Sequence, residues 1–132
     1  MSHVKIITRS VRVDGNEREK STQTAAGTLD TQGKLTRLVY EDSEGTITTL
    51  TVMSDCIVIH RKGRIKSTMS FRIGLRTSCQ YDTGFGALDM EIFTTASHVS
   101  LNDCNGKILL EYQLSVGGGE PSAHTVEITI EE

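Results

Sequence analysis

Basic residues are concentrated in one stretch of the chain, between Cys56 and Tyr81. This stretch holds none of the 17 acidic residues but six of the 14 basic ones, namely Arg61, Lys62, Arg64, Lys66, Arg72 and Arg76. Guanidinium groups bind phosphates and carboxylates through paired hydrogen bonds. The stretch is therefore a candidate anion-binding surface. The alternative is a solvated barrel face that pairs with neighbouring acidic strands.

Strand parity predicts which of these cations lie together. Arg64, Lys66 and Arg72 are separated by even numbers of residues, so an unbroken strand places them on one face. We expect Arg61 to join them from the opposite strand of a hairpin that turns at Lys62-Gly63. Aromatic residues for base stacking are nearly absent from this stretch, and we therefore expect no nucleic-acid partner.

Two further polar groups lie on or beside predicted strands. His124 has the same parity as the apolar residues Val126 and Ile128. If this face points inward, His124 lies near Tyr112 of the preceding strand and is either a hydrogen-bonded core residue or a ligand contact in a barrel mouth. Tyr81 ends the basic stretch, and its hydroxyl either supports a bound anion or caps a core position.

Other chemistry-bearing residues give no prediction of a catalytic site, a metal site or a cofactor. The histidines lack the spacing of metal ligands, and the chain has no Gly-x-Ser-x-Gly nucleophile elbow. The Gly84-Phe85-Gly86 turn lacks the Lys-Ser/Thr pair and the helix that complete a phosphate-binding loop. Asp89 and Glu91 share one strand face opposite apolar residues, which is typical of a solvated face rather than of acid–base catalysis.

The elements that position these residues are predicted to be β-strands throughout. Apolar and polar residues alternate without a break in Ile108–Val116 and again in Val126–Ile130. Similar segments recur about every 10 residues between Gly, Asp and Asn turns, which predicts an all-β chain of eight to ten antiparallel strands. Ala87–Thr95 and Ser97–Asn102 are predicted as separate strands. A closed up-and-down barrel is preferred to a sandwich because closure leaves no exposed strand edge.

Length, charge and cysteine content limit the class of protein. The 132 residues, without a linker or repeat, predict one domain over 1–132, and the net charge of −3 excludes a general polyanion binder. Three widely spaced cysteines, Cys56, Cys79 and Cys104, predict free thiols in a reducing compartment. Neither a signal peptide nor an apolar run of about 20 residues is present, so we expect a cytoplasmic protein with no membrane partner.

A family resemblance covers about Val4 to Ile130. It is carried by an ordered set of short segments: Arg61-Lys62-Gly63, Met69 to Gly74, Tyr81-Asp82-Thr83, Leu88 to Ile92, Gly106-Lys107-Ile108, Tyr112-Gln113-Leu114 and His124 to Ile128. In these segments the chain resembles the YwiB-like family of small bacterial proteins of unknown function. The resemblance implies a calycin-type (lipocalin-like) barrel and brings no catalytic residues. A hydrophobic cargo would rest on fold analogy alone, since the chain has no Trp for the lipocalin signature.

The sequence by itself leaves the function unknown and favours one interpretation over two others. The favoured one is a non-enzymatic barrel that binds a small molecule or anion, and its predicted ligand-binding residues are Arg61, Arg64, Arg72, Tyr81, Tyr112 and His124. The second is a protein-interaction module, in which the basic hairpin docks an acidic partner or a barrel face forms a homodimer. The third, least favoured, is a hydrolytic enzyme. The oligomeric state is left open between monomer and homodimer.

Overall fold

The structure of the protein, a computed structural model, describes residues 2–102 and 105–132 and confirms the all-β prediction. It contains ten strands: β1 Ser2–Asp14, β2 Glu17–Gln32, β3 Leu35–Glu41, β4 Ile47–Val52, β5 Ile57–Lys62, β6 Ser67–Phe71, β7 Arg76–Asp82, β8 Ala87–Leu101, β9 Gly106–Val116 and β10 Ser122–Glu131. Among the described residues, no helix is long and apolar enough to cross a membrane. The sequence also predicts a turn at Asp103-Cys104-Asn105-Gly106, and its first two residues lie outside the described residues.

The ten strands form one antiparallel sheet that curves into a nearly closed barrel. The order in the sheet is β6-β5-β4-β3-β2-β1-β10-β9-β8-β7, so consecutive strands form ladders throughout the chain except for β6 with β7. The first and last strands also pair, over Lys5 to Val13 of β1. This is the up-and-down arrangement that the sequence predicts, and it leaves β6 and β7 as the two strands that must meet to close the barrel.

The contact between β6 and β7, which we call the seam, is short. Lys66 and Asp82 exchange two backbone hydrogen bonds of 2.9 Å, from each amide nitrogen to the other residue's carbonyl oxygen. The Thr77 hydroxyl donates to the Ser70 carbonyl oxygen at 2.6 Å, and the Gly74 amide donates to the Thr94 carbonyl oxygen at 2.8 Å. Closure therefore rests on a few bonds rather than on a full ladder.

Aliphatic side chains from all parts of the sheet fill the barrel interior. They alternate with solvent-facing residues along each strand, as the period-two pattern predicts. The buried set is Val4, Ile6, Leu29, Leu38, Leu50, Ile57, Ile59, Met69, Phe71, Met90, Ile92, Ile108, Leu110, Ile128 and Ile130. These residues make a packed core, which by burial of apolar surface supplies most of the stability.

The two ends of the barrel differ in polarity. The turns 15–16, 42–46, 63–66, 83–86 and 117–121 lie at one end, which we call the upper end, because each follows an odd-numbered strand. Toward this end the inward positions become polar, with buried Thr46, Thr48, Ser67 and Ser122. The lower end, with turns 33–34, 53–56 and 72–75, lies next to the aliphatic core.

Two local predictions are wrong. Four residues, 63–66, connect β5 to β6 instead of a two-residue Lys62-Gly63 turn, because the Lys66 backbone is engaged by Asp82 across the seam. The predicted break at Ala96 is a bulge within one continuous strand, β8. There the register to β9 shifts between Thr94 and Ala96, and the Thr95 hydroxyl donates to the Glu111 carbonyl oxygen at 3.0 Å.

The close approach of β2 and β3 at Gly27 gives a stability prediction. A methyl group on Gly27 would collide with the Val39 carbonyl oxygen and lie 2.7 Å from Ile6 Cδ1. We expect Gly27→Ala to lower the free energy of unfolding by about 2 kcal/mol, as overpacking does. Denaturant titration measures this, with Ala26→Ser at the exposed neighbouring residue as the control. Equal midpoints for wild type and Gly27→Ala would show that the strands separate more easily than the structure implies.

Candidate functional site

The β4, β5 and β6 strands place a cation among hydroxyl groups inside the barrel. Arg61 pairs directly with Thr48 on β4 and with Ser67 on β6. Both of these neighbours are buried, and Arg61 itself is half-buried. Arg61 shares parity with the buried Ile57 and Ile59, so its side chain starts from the inner face of the sheet. The expectation that Arg61 joins the exposed cations of the hairpin is therefore wrong.

Tyr81 extends this row across the seam. The bridge between Lys66 and Asp82 sets the register, so the next residues along, Ser67 and Tyr81, lie opposite each other on the inner face. Tyr81 is half-buried and packs against the hydrophobic core. The inner row at the upper end thus runs from Thr48 through Arg61 and Ser67 to Tyr81.

A stack of aromatic and imidazole rings contributes the other side of the site. The β9–β10 ladder pairs Tyr112 with His124, and their rings are parallel within 3° with centroids 5.0 Å apart. The Phe71 ring meets Tyr112 edge-on, with a centroid distance of 4.9 Å. The Ser122 hydroxyl lies 2.8 Å from His124 Nε2 and so fixes the orientation of the imidazole. The sequence prediction that His124 lies near Tyr112 is confirmed.

Electrostatics connect the stack to the arginines. Burial raises the pKa of the Tyr112 hydroxyl, and the positive charge of Arg61 acts in the opposite direction. Arg61 is therefore close enough to Tyr112 for its charge to be felt. Burial also lowers the pKa of His124, and the charge of Arg12 lowers it further. Both rings are thus neutral near pH 7, and the positive charge of the site comes from arginine.

The two arginines whose charges act on the stacked rings, the exposed Arg12 and the half-buried Arg61, differ in their partners. Arg12 forms ion pairs with Asp14 at 3.2 Å and with Glu19 at 3.7 Å, so its charge is largely compensated. Arg61 has no ion-pair partner among the residues that the structure describes. The Ser67 hydroxyl, on the residue paired with Arg61, is buried and has no hydrogen-bond partner within residues 2–102 and 105–132. An uncompensated arginine therefore lies beside an unsatisfied hydroxyl.

The six predicted ligand-binding residues do not form one site. Arg61, Tyr81, Tyr112 and His124 lie on the inner face toward the upper end. Arg64 is exposed in the β5–β6 turn. Arg72 lies at the lower end, where its guanidinium contacts Asp55 at 3.2 Å. The prediction that Arg64, Lys66 and Arg72 lie on one face of an unbroken strand is wrong, because β6 covers only Ser67–Phe71. Arg64 precedes this strand and Arg72 follows it, so the two lie at opposite ends of the barrel.

Sequence reasoning missed Ser67 and Arg12. A signal for Ser67 was present, since it is the one polar residue that shares parity with Ile65, Met69 and Phe71. Arg12 gave no comparable signal, because its proximity to His124 follows from the pairing of β1 with β10, the two ends of the chain. A groove of about 440 Å³ is lined in part by Arg12, Glu19 and His124.

The remaining reactive groups of the described residues form neither a metal site nor a catalytic triad. Among the described residues, no cluster of three or more His, Cys, Asp or Glu side chains could hold a metal ion. Cys56 is a buried free thiol and Cys79 a half-buried one, whose pKa is raised by burial. The third cysteine, Cys104, lies outside the described residues. His124 contacts Ser122, but no carboxylate within the described part of the chain hydrogen-bonds to this imidazole to complete a triad.

Comparison with known proteins places the chain in a family. The profile of a family described as Domain of unknown function (DUF1934) matches residues 4–128. The chain belongs to this family. It is 27% identical over 131 residues to a Bacillus subtilis (strain 168) protein described as Uncharacterized beta-barrel protein YwiB, covering 98% of this chain and 90% of that protein.

A solved structure agrees with the fold described above. The crystal structure of ywiB protein from Bacillus subtilis superimposes with a TM-score of 0.89 at 24% sequence identity, covering 98% of this chain and 90% of that one. The likeness bears on the fold alone. The resemblance to the YwiB-like family and the β-barrel prediction are thus confirmed, and the function of the DUF1934 family is not known.

The lowered pKa of His124 gives a pH prediction. The unfolded chain takes up a proton on His124 near its ordinary pKa of 6.5, while the folded protein resists protonation. The free energy of unfolding must therefore decrease as the pH falls through 6.5 toward the folded pKa. Denaturant titrations between about pH 8 and about pH 5 should show a smaller decrease for His124→Gln than for wild type. The same substitution at exposed His98 is the control, and parallel curves for wild type and His124→Gln would contradict the assignment.

Proposed function

We propose that the protein is a non-enzymatic binding barrel whose upper end binds a small anion at Arg61. The observation that carries this proposal is the half-buried Arg61, without an ion-pair partner among the described residues, next to the unsatisfied hydroxyl of Ser67. Both an unpaired charge and an unsatisfied buried donor cost free energy. A bound anion would relieve both costs at once, because it accepts hydrogen bonds from each group.

The donor set favours a carboxylate or phosphate as the ligand. An arginine offers two parallel N–H donors, which match two oxygens of either group. The hydroxyls of Ser67 and Tyr81, next along the same inner row, supply donors from one side. Partial removal of the site from water strengthens each of these hydrogen bonds relative to the same bonds at the surface.

The stacked rings of Tyr112 and His124 line the site beside Arg61 and limit the shape of the ligand. Both rings are neutral near pH 7. A neutral, largely apolar surface next to a cation accommodates an anion that carries a small organic group. Protonation of His124 in mild acid would add positive charge here, so binding of an anion should strengthen as the pH falls.

Two broader aspects belong to the same proposal. We propose a calycin-type relationship, supported by the up-and-down order of the ten strands around a closed interior. We also propose a cytoplasmic location, supported by the free thiols Cys56 and Cys79, which are typical of a reducing compartment.

Loss of the central cation tests the site directly. Inorganic phosphate and benzoate serve as probes, titrated into isotope-labelled protein while amide signals are followed by NMR. We expect shifts centred on Arg61, Ser67 and Tyr112. The dissociation constant should be at least tenfold higher for Arg61→Gln, because this substitution removes one charged hydrogen-bonding partner. Arg64→Gln removes the same charge from the exposed turn and should change affinity by less than about twofold.

Two outcomes would refute the proposal. One is equal weakening by Arg61→Gln and Arg64→Gln, which would show that the anions respond to the general charge of this end. The other outcome combines two results. Neither probe causes a saturable shift, and native mass spectrometry of protein purified from its own host shows only the mass of the chain without a ligand. The first outcome would indicate that the basic stretch is a charged surface without a specific anion site.

The unsatisfied hydroxyl of Ser67 gives a second, opposed pair of effects. Ser67→Ala removes a buried hydroxyl that has no partner, so the ligand-free protein should become more stable by about 1 kcal/mol. The same substitution removes a donor to the anion and should weaken binding severalfold. Denaturant titration and NMR titration measure the two effects. A loss of stability in the ligand-free Ser67→Ala protein would mean that this hydroxyl is hydrogen-bonded after all.

A further inference from the structure

The turn between β7 and β8 holds an aromatic side chain out in solvent. Phe85 is fully exposed at its tip, between Gly84 and Gly86, both of which have positive φ. The turn is well held: the Thr83 amide donates to the Gly86 carbonyl oxygen, and the Gly84 amide donates to Asp82 Oδ1 at 2.9 Å. A single exposed apolar side chain is common on protein surfaces, so it is the neighbours of Phe85 that indicate whether this ring has a role.

The seam places a group of cations beside this aromatic turn. Because the Lys66 and Asp82 backbones are hydrogen-bonded to each other, the residues 62–66, which we call the basic turn, run alongside the residues 83–86. The basic turn carries Lys62, Arg64 and Lys66, all exposed.

Asp82 lies opposite Lys66 at the bridge, but its carboxylate accepts a hydrogen bond from the Gly84 amide and forms no ion pair with Lys66 in the described part of the chain. Lys62, Arg64 and Lys66 take part in none of the ion pairs formed within residues 2–102 and 105–132. The β5–β6 register, continued by one step from Arg61 and Ser67, sets Lys62 opposite Lys66. Like charges directly opposite each other destabilise a hairpin. Ile47, 47% exposed, pairs with Lys62 from β4 and adds a second apolar group to the same surface.

We propose that this seam-side patch, formed by Ile47, Lys62, Arg64, Lys66 and Phe85, binds the surface of a bilayer that contains anionic lipid. Lysine and arginine side chains near such a surface are attracted to the lipid headgroups, and an apolar side chain beside them enters the interfacial region. The long stems of the lysines also let the charged groups reach the headgroups while the turn stays at the surface.

The shape of the patch favours a bilayer over an acidic protein. Phe85 projects from the tip of a turn on the convex end of the barrel, and a projecting ring needs a pocket in a protein partner but none in a fluid interface. The acidic side chains of the neighbouring β3–β4 turn, Asp42 and Glu44, would be repelled by anionic lipid. Only the seam side can therefore approach, with the barrel axis tilted away from the normal to the membrane.

The sequence predicts no membrane partner because it has no long apolar run and because the apolar residues of the patch, Ile47 and Phe85, are isolated in the chain. Twenty residues or so separate the basic turn from Phe85, and only the seam joins them. The proposal is independent of the anion site inside the barrel, since it uses no residue of that site. Arg61→Gln should leave binding to vesicles unchanged, so failure of one proposal does not imply failure of the other.

A tryptophan reporter tests the proposal, because the chain has no tryptophan of its own. Phe85→Trp protein is mixed with vesicles of equal parts phosphatidylcholine and phosphatidylglycerol. We expect the emission to shift to shorter wavelength as the indole enters the interface, and no shift with vesicles of phosphatidylcholine alone. Leu75→Trp, an exposed apolar position at the lower end of the barrel, is the control and should show no shift. An unchanged Phe85→Trp spectrum with the mixed vesicles would overturn the proposal.

Sedimentation with the same mixed vesicles measures the contribution of each group. We expect Phe85→Ser to weaken partitioning about tenfold, and the triple variant Lys62→Gln, Arg64→Gln, Lys66→Gln to weaken it about 100-fold. The control removes three exposed lysines elsewhere, Lys5→Gln, Lys34→Gln and Lys107→Gln, and should have a much smaller effect. Equal loss in both triple variants would show nonspecific attraction and refute the proposal. A third outcome is that the protein binds soluble polyglutamate but not vesicles, and that Phe85→Ser leaves this binding unchanged. That outcome would indicate that the patch binds an acidic protein instead.

Discussion

The arrangement of the whole upper end depends on the short contact that closes the barrel between β6 and β7. Every other strand is held by a ladder to its neighbours, but here Lys66 and Asp82 form a single bridge. Inside the barrel, that bridge sets Ser67 opposite Tyr81 and completes the polar row that contains Arg61. Outside the barrel, the same bridge brings the basic turn beside Phe85. One pair of backbone hydrogen bonds thus organises both a polar interior and an exposed patch.

The barrel interior changes from apolar to polar along the barrel axis. The apolar residues stabilise the fold, and the polar residues are available to a ligand. Around the middle, residues such as Ile92 and Leu110 are fully buried and make the fold stable. Toward the upper end the inward positions hold Arg61, Ser67 and the Tyr112–His124 stack. Apolar side chains at these positions would stabilise the core more than these polar groups do. A polar cluster that is only partly satisfied is retained at a cost in stability, which is typical of functional sites.

Parts of the candidate site were within reach of sequence reasoning, and parts were not. His124 and Tyr112 were predicted to be near each other because both lie on the last hairpin, where the alternation is unbroken. The prediction for Arg61 failed because it assumed that the cations of one hairpin share a face. Arg61 has the parity of Ile57 and Ile59 on its own strand, and that local pattern was the better guide. Arg12 was beyond reach, since its approach to His124 depends on the pairing of the first strand with the last.

The sequence by itself determined that the chain is all-β, with eight to ten alternating segments whose apolar faces must be buried together. This follows from period-two alternation, a local property that any strand carries in its own residues. Only the tertiary structure decided which polar residues meet, because neighbours across strands are set by register and by closure of the sheet. A shift of one residue in either would exchange the inner and outer faces. The positions of Arg61 beside Ser67 and of Phe85 beside the basic turn are therefore properties of the closed barrel, not of any one strand.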